Sequence, residues 1–154
     1  MGKAGGPASV CFCLGVNSAE QPALAPAAAS PSSFEFARTS VAYWLKRGVP
    51  KSKLVLGVPF YGHAFGAAAG RRGNGYKDIV ARFPGAELRD QAGDTIWYNG
   101  IPTIRAKARY VRDEGLAGIM IWSLNNDAPG DKSLLAAIDA ELSAPAHAVA
   151  AGRR

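Results

Sequence analysis

The sequence predicts an α/β fold in which two buried parallel strands are joined through a helix. Two short apolar runs, at residues 53–58 and 118–122, lack the alternation of a half-exposed strand, and such runs are typical of strands covered on both faces. A segment with helical spacing lies between them. A strand–helix–strand order of this kind forms a right-handed parallel crossover.

Composition indicates a globular domain. Of the 154 residues, 48% are hydrophobic and 19% are charged, and the net charge of +6 is scattered along the chain. The largest basic group lies on one predicted helix and is interpreted as a solvated face, so neither a nucleic-acid partner nor a membrane span is predicted: Arg105, Lys107, Arg109 and Arg112. Cys11 and Cys13 lie too close in sequence to bridge well. No metal-ligand spacing is present, so no metal site is predicted.

Residues 1–31 are predicted to be a leader without stable structure. Residues 20–31 are rich in Ala and Pro, as in disordered segments. The apolar stretch from Ala8 to Val16 resembles a weak signal peptide, and a non-native leader is the alternative interpretation. The compartment therefore stays unknown. The domain is predicted to span residues 32–142, followed by a flexible tail at residues 143–154.

The first half of the domain reads as helix, strand and loop. Ser32 and Glu35 fit a capping box before a helix that Gly48 and Pro50 end. The first apolar strand follows. Residues 62–75 then form a Gly-rich loop, and a short helix is predicted from Tyr76 to Phe83.

The second half repeats the order with a longer helix. A β-like run at residues 95–98 precedes a helix that Pro102 begins and Gly115 ends. The second apolar strand follows. Asp131 is predicted to cap a last helix, whose inward residues are predicted to be Leu134, Leu135, Ile138 and Leu142.

Two sequence motifs resemble those of glycoside hydrolase family 18, the chitinase type. KLVLGVPFYG at residues 53–62 resembles the family's seventh-strand motif, and GIMIWSLNND at residues 118–127 resembles its eighth-strand motif. Residues 95–111, TIWYNGIPTIRAKARYV, are similar to the stretch that leads into the seventh helix. The resemblance covers roughly residues 33–142. It implies a partial TIM (β/α)₈ barrel that contains only the last two strands and their helices, because a complete barrel needs roughly 250 residues.

The resemblance implies hydrolysis of β-1,4-linked N-acetylglucosamine polymers, with the substrate's acetamide as nucleophile. The family's catalytic acid lies in a DxxDxDxE motif, which is not in this sequence. The nearest fragment is Asp139-Ala140-Glu141, with Ala137 where an aspartate is needed, and it falls in a predicted helix. No catalytic residue is therefore assigned, and the chain is expected to be inactive alone.

The resemblance also implies a sugar-binding wall made of Tyr61, His63 and Trp122. The matching tryptophan floors a sugar subsite in the family, and the matching tyrosine lies near the sugar; a core tryptophan and a structural tyrosine are the alternatives. His63 stands where the family usually has arginine, whose charged fork a histidine does not offer; a loop residue is its alternative interpretation. Ser123 likewise replaces a common glutamate.

The loop residues between the strands keep two interpretations each. Trp97 and Tyr98 form either a wall of the groove or a hydrophobic hairpin. Asp94 and Asp127 either bind sugar hydroxyls or cap turns, and turns are the usual role of such residues.

Three classes of function follow. The chain is a C-terminal fragment of a chitinase, a non-catalytic chitin-binding or carbohydrate-binding protein, or a piece that completes a barrel with another chain. The expected partner is chitin or an N-acetylglucosamine oligosaccharide, and no cofactor is implied. Family resemblance suggests a secreted protein. A truncated barrel would leave a strand edge unpaired, so self-association through that edge is also expected.

Overall fold

A computed structural model describes residues 10–12, 32–65 and 74–145 of the chain. The elements within these ranges alternate between strands and helices, with a small sheet inserted after the second strand. In chain order they are β1 (Val10–Phe12), α1 (Phe34–Lys46), β2 (Leu54–Pro59), β3 (His63–Ala64), α2 (Tyr76–Arg82), β4 (Gln91–Ala92), β5 (Ile96–Trp97), α3 (Ile101–Glu114), β6 (Gly118–Trp122) and α4 (Leu134–Leu142).

The main sheet has the order β1-β2-β6 and is parallel throughout. Strand β2 lies in the middle, and its register with β6 runs from Val55 opposite Gly118 to Pro59 opposite Trp122. The helix α3 connects the two, as a parallel crossover requires. The prediction that the two motif strands lie side by side and parallel is therefore confirmed, and so is the α/β class.

The prediction of only two parallel strands is wrong, because Val10–Phe12 forms a third. It pairs in parallel with residues 54–56, and so it supplies the backbone partners on the side of β2 that β6 leaves open. Apart from these three residues, the predicted leader and its signal peptide lie outside the described residues, as do residues 146–154 of the predicted tail. No strand among the described residues covers the outer edge of β6, and self-association through that edge stays a prediction.

The helices cover one face of the main sheet. Alternate side chains of β2 point to this face, and they join two hydrophobic clusters. Leu54 and Leu56 pack with residues of α1 and α3. Val58, and Phe60 just beyond the strand, pack with α3, α4, α2 and the small sheet. The buried positions follow the apolar spacing of the sequence, except that Leu135 and Leu142 of α4, predicted to face inward, are exposed.

The caps of α1 and α4 lie one and two residues, respectively, beyond the residues that the sequence indicates. The side chain of Ser33, not Ser32, caps α1 by accepting a hydrogen bond from the backbone N–H of Phe36 at 3.1 Å. Ser133 does the same for α4. The prediction that Asp131 caps α4 is wrong, because it lies in a separate short turn, Gly130–Lys132.

The burial of Lys107 contradicts the interpretation that the basic residues of α3 form a solvated face. Its side chain is fully buried, and its Nζ donates hydrogen bonds of 2.6 Å to the Ser32 carbonyl oxygen and of 2.6 Å to Asn99 Oδ1. Asn99 is itself buried and donates to the same Ser32 oxygen at 2.8 Å. These hydrogen bonds connect the residue before the α1 cap to α3 and to the residue that precedes the α3 cap.

Within the described ranges, none of the helices combines the length and the apolar character needed to cross a membrane.

Candidate functional site

The carboxyl ends of β2 and β6 meet at one edge of the main sheet. Pro59 and Trp122, the last residues of the two strands, are paired, and the Phe60 N–H donates to the Trp122 carbonyl oxygen at 2.8 Å. The Trp122 side chain is 66% exposed. Trp122 ends a strand whose other residues are half-buried, and its exposure is not that of a core tryptophan.

Tyr61 stands at the same edge, two residues beyond the pair. It forms an isolated antiparallel bridge with Gly75, which anchors the start of the excursion between β2 and α3. Its ring contacts the ring of His63 edge to face, with centroids 5.2 Å apart. The structure thus brings Tyr61 and His63 together and puts Tyr61 and Trp122 at the same end of adjacent strands.

Gly62 allows the chain to turn from the main sheet into the small one. A Cβ atom at this position would lie 2.9 Å from Ile79 Cδ1 and 3.1 Å from the Trp97 carbonyl oxygen, closer than side chains tolerate. The absence of a side chain therefore lets β3 approach β5, and this approach fixes where His63 points.

His63 belongs to β3, where it is paired with Trp97 of β5. Its Nε2 is buried and has no hydrogen-bond partner within the described part of the chain. Burial lowers the pKa of the imidazole below its usual value. The side chain is therefore neutral at pH 7. The arginine that the family usually has at this position is permanently charged.

The other residues singled out by the sequence divide into structural and exposed ones. Tyr98 is buried, and its hydroxyl donates to the Ala86 carbonyl oxygen at 2.7 Å. Asp127 accepts the backbone N–H groups of Leu134 and Leu135, at 2.8 and 3.2 Å, and so caps α4 rather than pointing to a ligand. Trp97 is half-exposed and Asp94 is exposed.

The Asp139–Glu141 fragment has a structural role. Both residues lie on α4, and Glu141 forms ion pairs with Arg109 at 3.1 Å and with Arg112 at 3.9 Å on the neighbouring helix α3. These ion pairs hold the Glu141 carboxylate against the neighbouring helix. Among the described residues, no group of three or more His, Cys, Asp and Glu side chains could hold a metal ion.

The comparisons with known proteins agree with the motifs. A sequence model described as "Glycosyl hydrolases family 18" matches residues 18–127. The chain belongs to this family. The match begins upstream of residue 33, where the motif resemblance starts.

Several curated relatives of the chain are chitinases or chitinase-like proteins. It is 30% identical to Endochitinase 1 of Metarhizium anisopliae, over 66% of the chain and 30% of the relative. It is 28% identical to human Chitinase-3-like protein 2, over 63% of the chain and 33% of the relative. The chain thus spans about a third of the length of these relatives.

The solved structures give the same result. The GH18 chitinase ChiB of Flavobacterium johnsoniae is 38% identical with a TM-score of 0.63, over 71% of this chain and 35% of that one. A chitinase from Bacteroides thetaiotaomicron is 30% identical with a TM-score of 0.65, over 72% of this chain and 39% of that one.

Three features of this region are not predicted from the sequence. They are the burial of Lys107, the pairing of His63 with Trp97, and the position of Gln91 opposite Trp97. Each depends on contacts between residues distant in sequence. The apolar stripe on α3 was one signal, since Lys107 lies beside Ile104, Ala108 and Val111, which face the core.

Proposed function

We propose that this chain forms the sugar-binding C-terminal part of a chitinase barrel, and that Tyr61, His63 and Trp122 contact a β-1,4-linked N-acetylglucosamine chain. The observation that carries the proposal is the exposed Trp122 ring at the carboxyl edge of the parallel sheet, beside Tyr61. Active sites of (β/α)₈ barrels lie at this edge. A flat indole suits the C–H face of a sugar ring, because stacking excludes water from both surfaces.

The relatives support the same class of ligand. The structure of human YKL-39, which is 25% identical with a TM-score of 0.55 over 75% of this chain and 42% of that one, is described as a pseudo-chitinase with retained chitooligosaccharide binding. Retained binding without hydrolysis is the behaviour that we propose for this chain on its own. The proposal also includes the partial (β/α)₈ barrel. It includes secretion as well, which the family suggests.

The first expected result is a loss of affinity when Trp122 is replaced. Trp122→Ala should weaken binding of chitotetraose about tenfold or more, because stacking and its desolvation are lost. Isothermal titration calorimetry on the folded chain measures this. Tyr43→Ala is a matched control, because Tyr43 is an exposed aromatic residue on α1, away from this edge. Equal affinity of the Trp122 variant and the wild type would refute the proposed site.

The second expected result is that the chain alone releases no fluorophore from a fluorogenic chitobioside. The DxxDxDxE motif is not in its sequence, and a general acid contributes typically 10²–10⁴-fold to such rates. Glu141 cannot replace it, because its carboxylate is paired with arginines. Turnover that co-purifies with the chain and disappears in the Trp122 variant would show that catalysis does not need the missing acid.

A further inference from the structure

The beginning of helix α2 contacts the chain that follows each of the two strand ends. We call residues 75–77 the α2 start; they comprise the cap residue Gly75 and the first two residues of the helix. On one side the α2 start lies against the chain after β2, and on the other side against the turn after β6. Its contacts therefore influence how the rings of Tyr61 and Trp122 are placed relative to each other.

Backbone pairing joins the α2 start to the chain around Tyr61. Tyr61 and Gly75 are the two partners of an antiparallel bridge. Beside this bridge, the Tyr76 N–H donates to the Phe60 carbonyl oxygen at 3.0 Å. Because these contacts are made by the backbone, a change of side chain in the α2 start leaves the connection to Tyr61 in place.

The turn after β6 connects Trp122 to α4. It is a short 3₁₀ turn at Leu124–Asn126, and the Asn126 N–H donates to the Ser123 carbonyl oxygen at 3.0 Å. The Trp122 ring is largely exposed, so packing against other side chains covers only a small part of it. The backbone that leaves Trp122 therefore has a large share in deciding where the ring points.

Lys77 bonds the α2 start to this turn. Its Nζ donates to the carbonyl oxygen of Asn125, 48 positions away, at 2.9 Å. Within the described part of the chain the Lys77 ammonium group has no carboxylate partner, so this carbonyl oxygen is its one hydrogen-bond acceptor there. The bond thus links two segments that are otherwise far apart in sequence.

The position of Lys77 within α2 argues against a role in stabilising the helix itself. Lys77 is the second residue after the cap, where the aligned peptide dipoles make a positive charge unfavourable. Asp78 supplies the favourable charge in the same turn. The contribution of Lys77 therefore comes from its bond to Asn125 rather than from α2.

Gly75 allows the turn to lie close to the α2 start. A Cβ atom at this position would be 3.0 Å from Asn126 Oδ1 and 3.0 Å from Asp78 Oδ2, closer than an ordinary contact. An alanine would therefore push the Asn126 amide away from the helix. Gly75 and Lys77 thus act on the same turn through different contacts.

We infer that Lys77 is a positioning residue for the sugar site. Its bond holds the turn after β6 against the α2 start, whose backbone is joined to Tyr61, and so it fixes the Trp122 ring relative to the Tyr61 ring. The inference rests on the proposed function, because it requires that both rings contact one sugar chain. Such a chain is sensitive to the relative position of the rings, since a displaced ring loses its stacking contact.

The test is calorimetry with chitotetraose on the folded chain carrying Lys77→Met, which keeps an unbranched side chain and removes the donor. We expect binding to weaken about threefold to tenfold, because the turn loses a hydrogen bond. Lys77→Arg keeps a donor and should bind within about twofold of the wild type. Lys46→Met, at an exposed lysine on α1, is the matched control and should also stay within about twofold.

The same substitution in a Trp122→Ala background separates positioning from a general structural role. There Lys77→Met should change the affinity by no more than about twofold, because the ring that it positions is gone. Denaturation should give the same free energy of unfolding for Lys77→Met as for Lys46→Met. Gly75→Ala should weaken binding through the same turn, and it keeps the test decisive if Lys77→Met fails to fold.

The outcomes distinguish this inference from the proposed function. If Lys77→Met binds as tightly as Lys46→Met while Trp122→Ala binds less tightly, the positioning role is refuted and the proposed function stands. An equal loss from Lys77→Met with and without the Trp122 ring also refutes positioning, because Lys77 then acts on the ligand directly or on the whole fold. If Trp122→Ala binds as tightly as the wild type, the proposed site fails and this inference fails with it.

Discussion

Replacing Phe60 with alanine is expected to lower the free energy of unfolding by about 3–5 kcal/mol. The ring is fully buried among residues of α2, α3, α4 and the small sheet, so the substitution leaves a cavity in the larger hydrophobic cluster. The Phe60 backbone also holds the site, since its N–H donates to Trp122 and its carbonyl oxygen accepts from the Tyr76 N–H at 3.0 Å. Chemical denaturation measures the loss.

Phe36→Ala is the matched control for this substitution. Phe36 lies on α1 and is 42% exposed, so the same change there should cost about 0.5 kcal/mol or less. Similar losses at the two positions would mean that the cluster around Phe60 does not carry the stability of the domain.

Raising the pH from 8 to 10 is expected to stabilise the domain through Lys107. Burial lowers the pKa of this lysine from 10.5 to about 8, although the charge of Asp90 acts in the opposite direction. Between these pH values the folded state has lost a proton that the unfolded chain still binds, so stability rises with pH. The full gain is about 3 kcal/mol, from about 1.4 kcal/mol for each tenfold difference in proton affinity. Below pH 8 the cost of burying the charge is present in full.

The measurement is the free energy of unfolding at several pH values in wild type and in Lys107→Met. The variant should lose the rise between pH 8 and 10, whereas Lys46→Met, an exposed lysine on α1, should keep it. The range stops at pH 10 because burial raises the pKa of Tyr98 to about 12 and also raises that of Tyr76. The folded state keeps these protons longer than the unfolded chain, so stability falls above pH 10. If the free energy of unfolding rises equally with pH in the wild type and in Lys107→Met, the rise does not come from deprotonation of the buried Lys107 side chain.

Much of the fold can be predicted from short stretches of this sequence. Two apolar runs predict strands, and the helix between them implies a parallel pair; both are confirmed by the pairing of β2 with β6. The prediction that both strands are covered on both faces is wrong for β6, whose residues are only partly buried. The same two runs carry the family motifs, and the family is confirmed. Proline and glycine also place the ends of α3, where Gly115 takes the left-handed conformation that favours glycine, with φ of 66°. These features depend on residues adjacent in sequence.

The wrong cap residue predicted for α1 has a tertiary cause. Adjacent serines at positions 32 and 33 offer the same hydroxyl to the first turn of α1. Ser32 is buried and its carbonyl oxygen accepts from Lys107, and Ser33 takes the cap. The contacts of the helix start with α3 decide between two residues that the sequence makes equivalent.

The α/β class, the two motif strands and the family can thus be predicted from the sequence. The third strand at Val10–Phe12, the burial of Lys107 and the pairing of Trp97 with both His63 and Gln91 are known only from the structure. Each of these depends on hydrogen bonds or packing between distant segments, such as the bond that joins Lys107 to a residue 75 positions away. A three-residue strand has too little periodicity to be recognised, and the charge of a lysine predicts exposure until the buried acceptors that surround it are known.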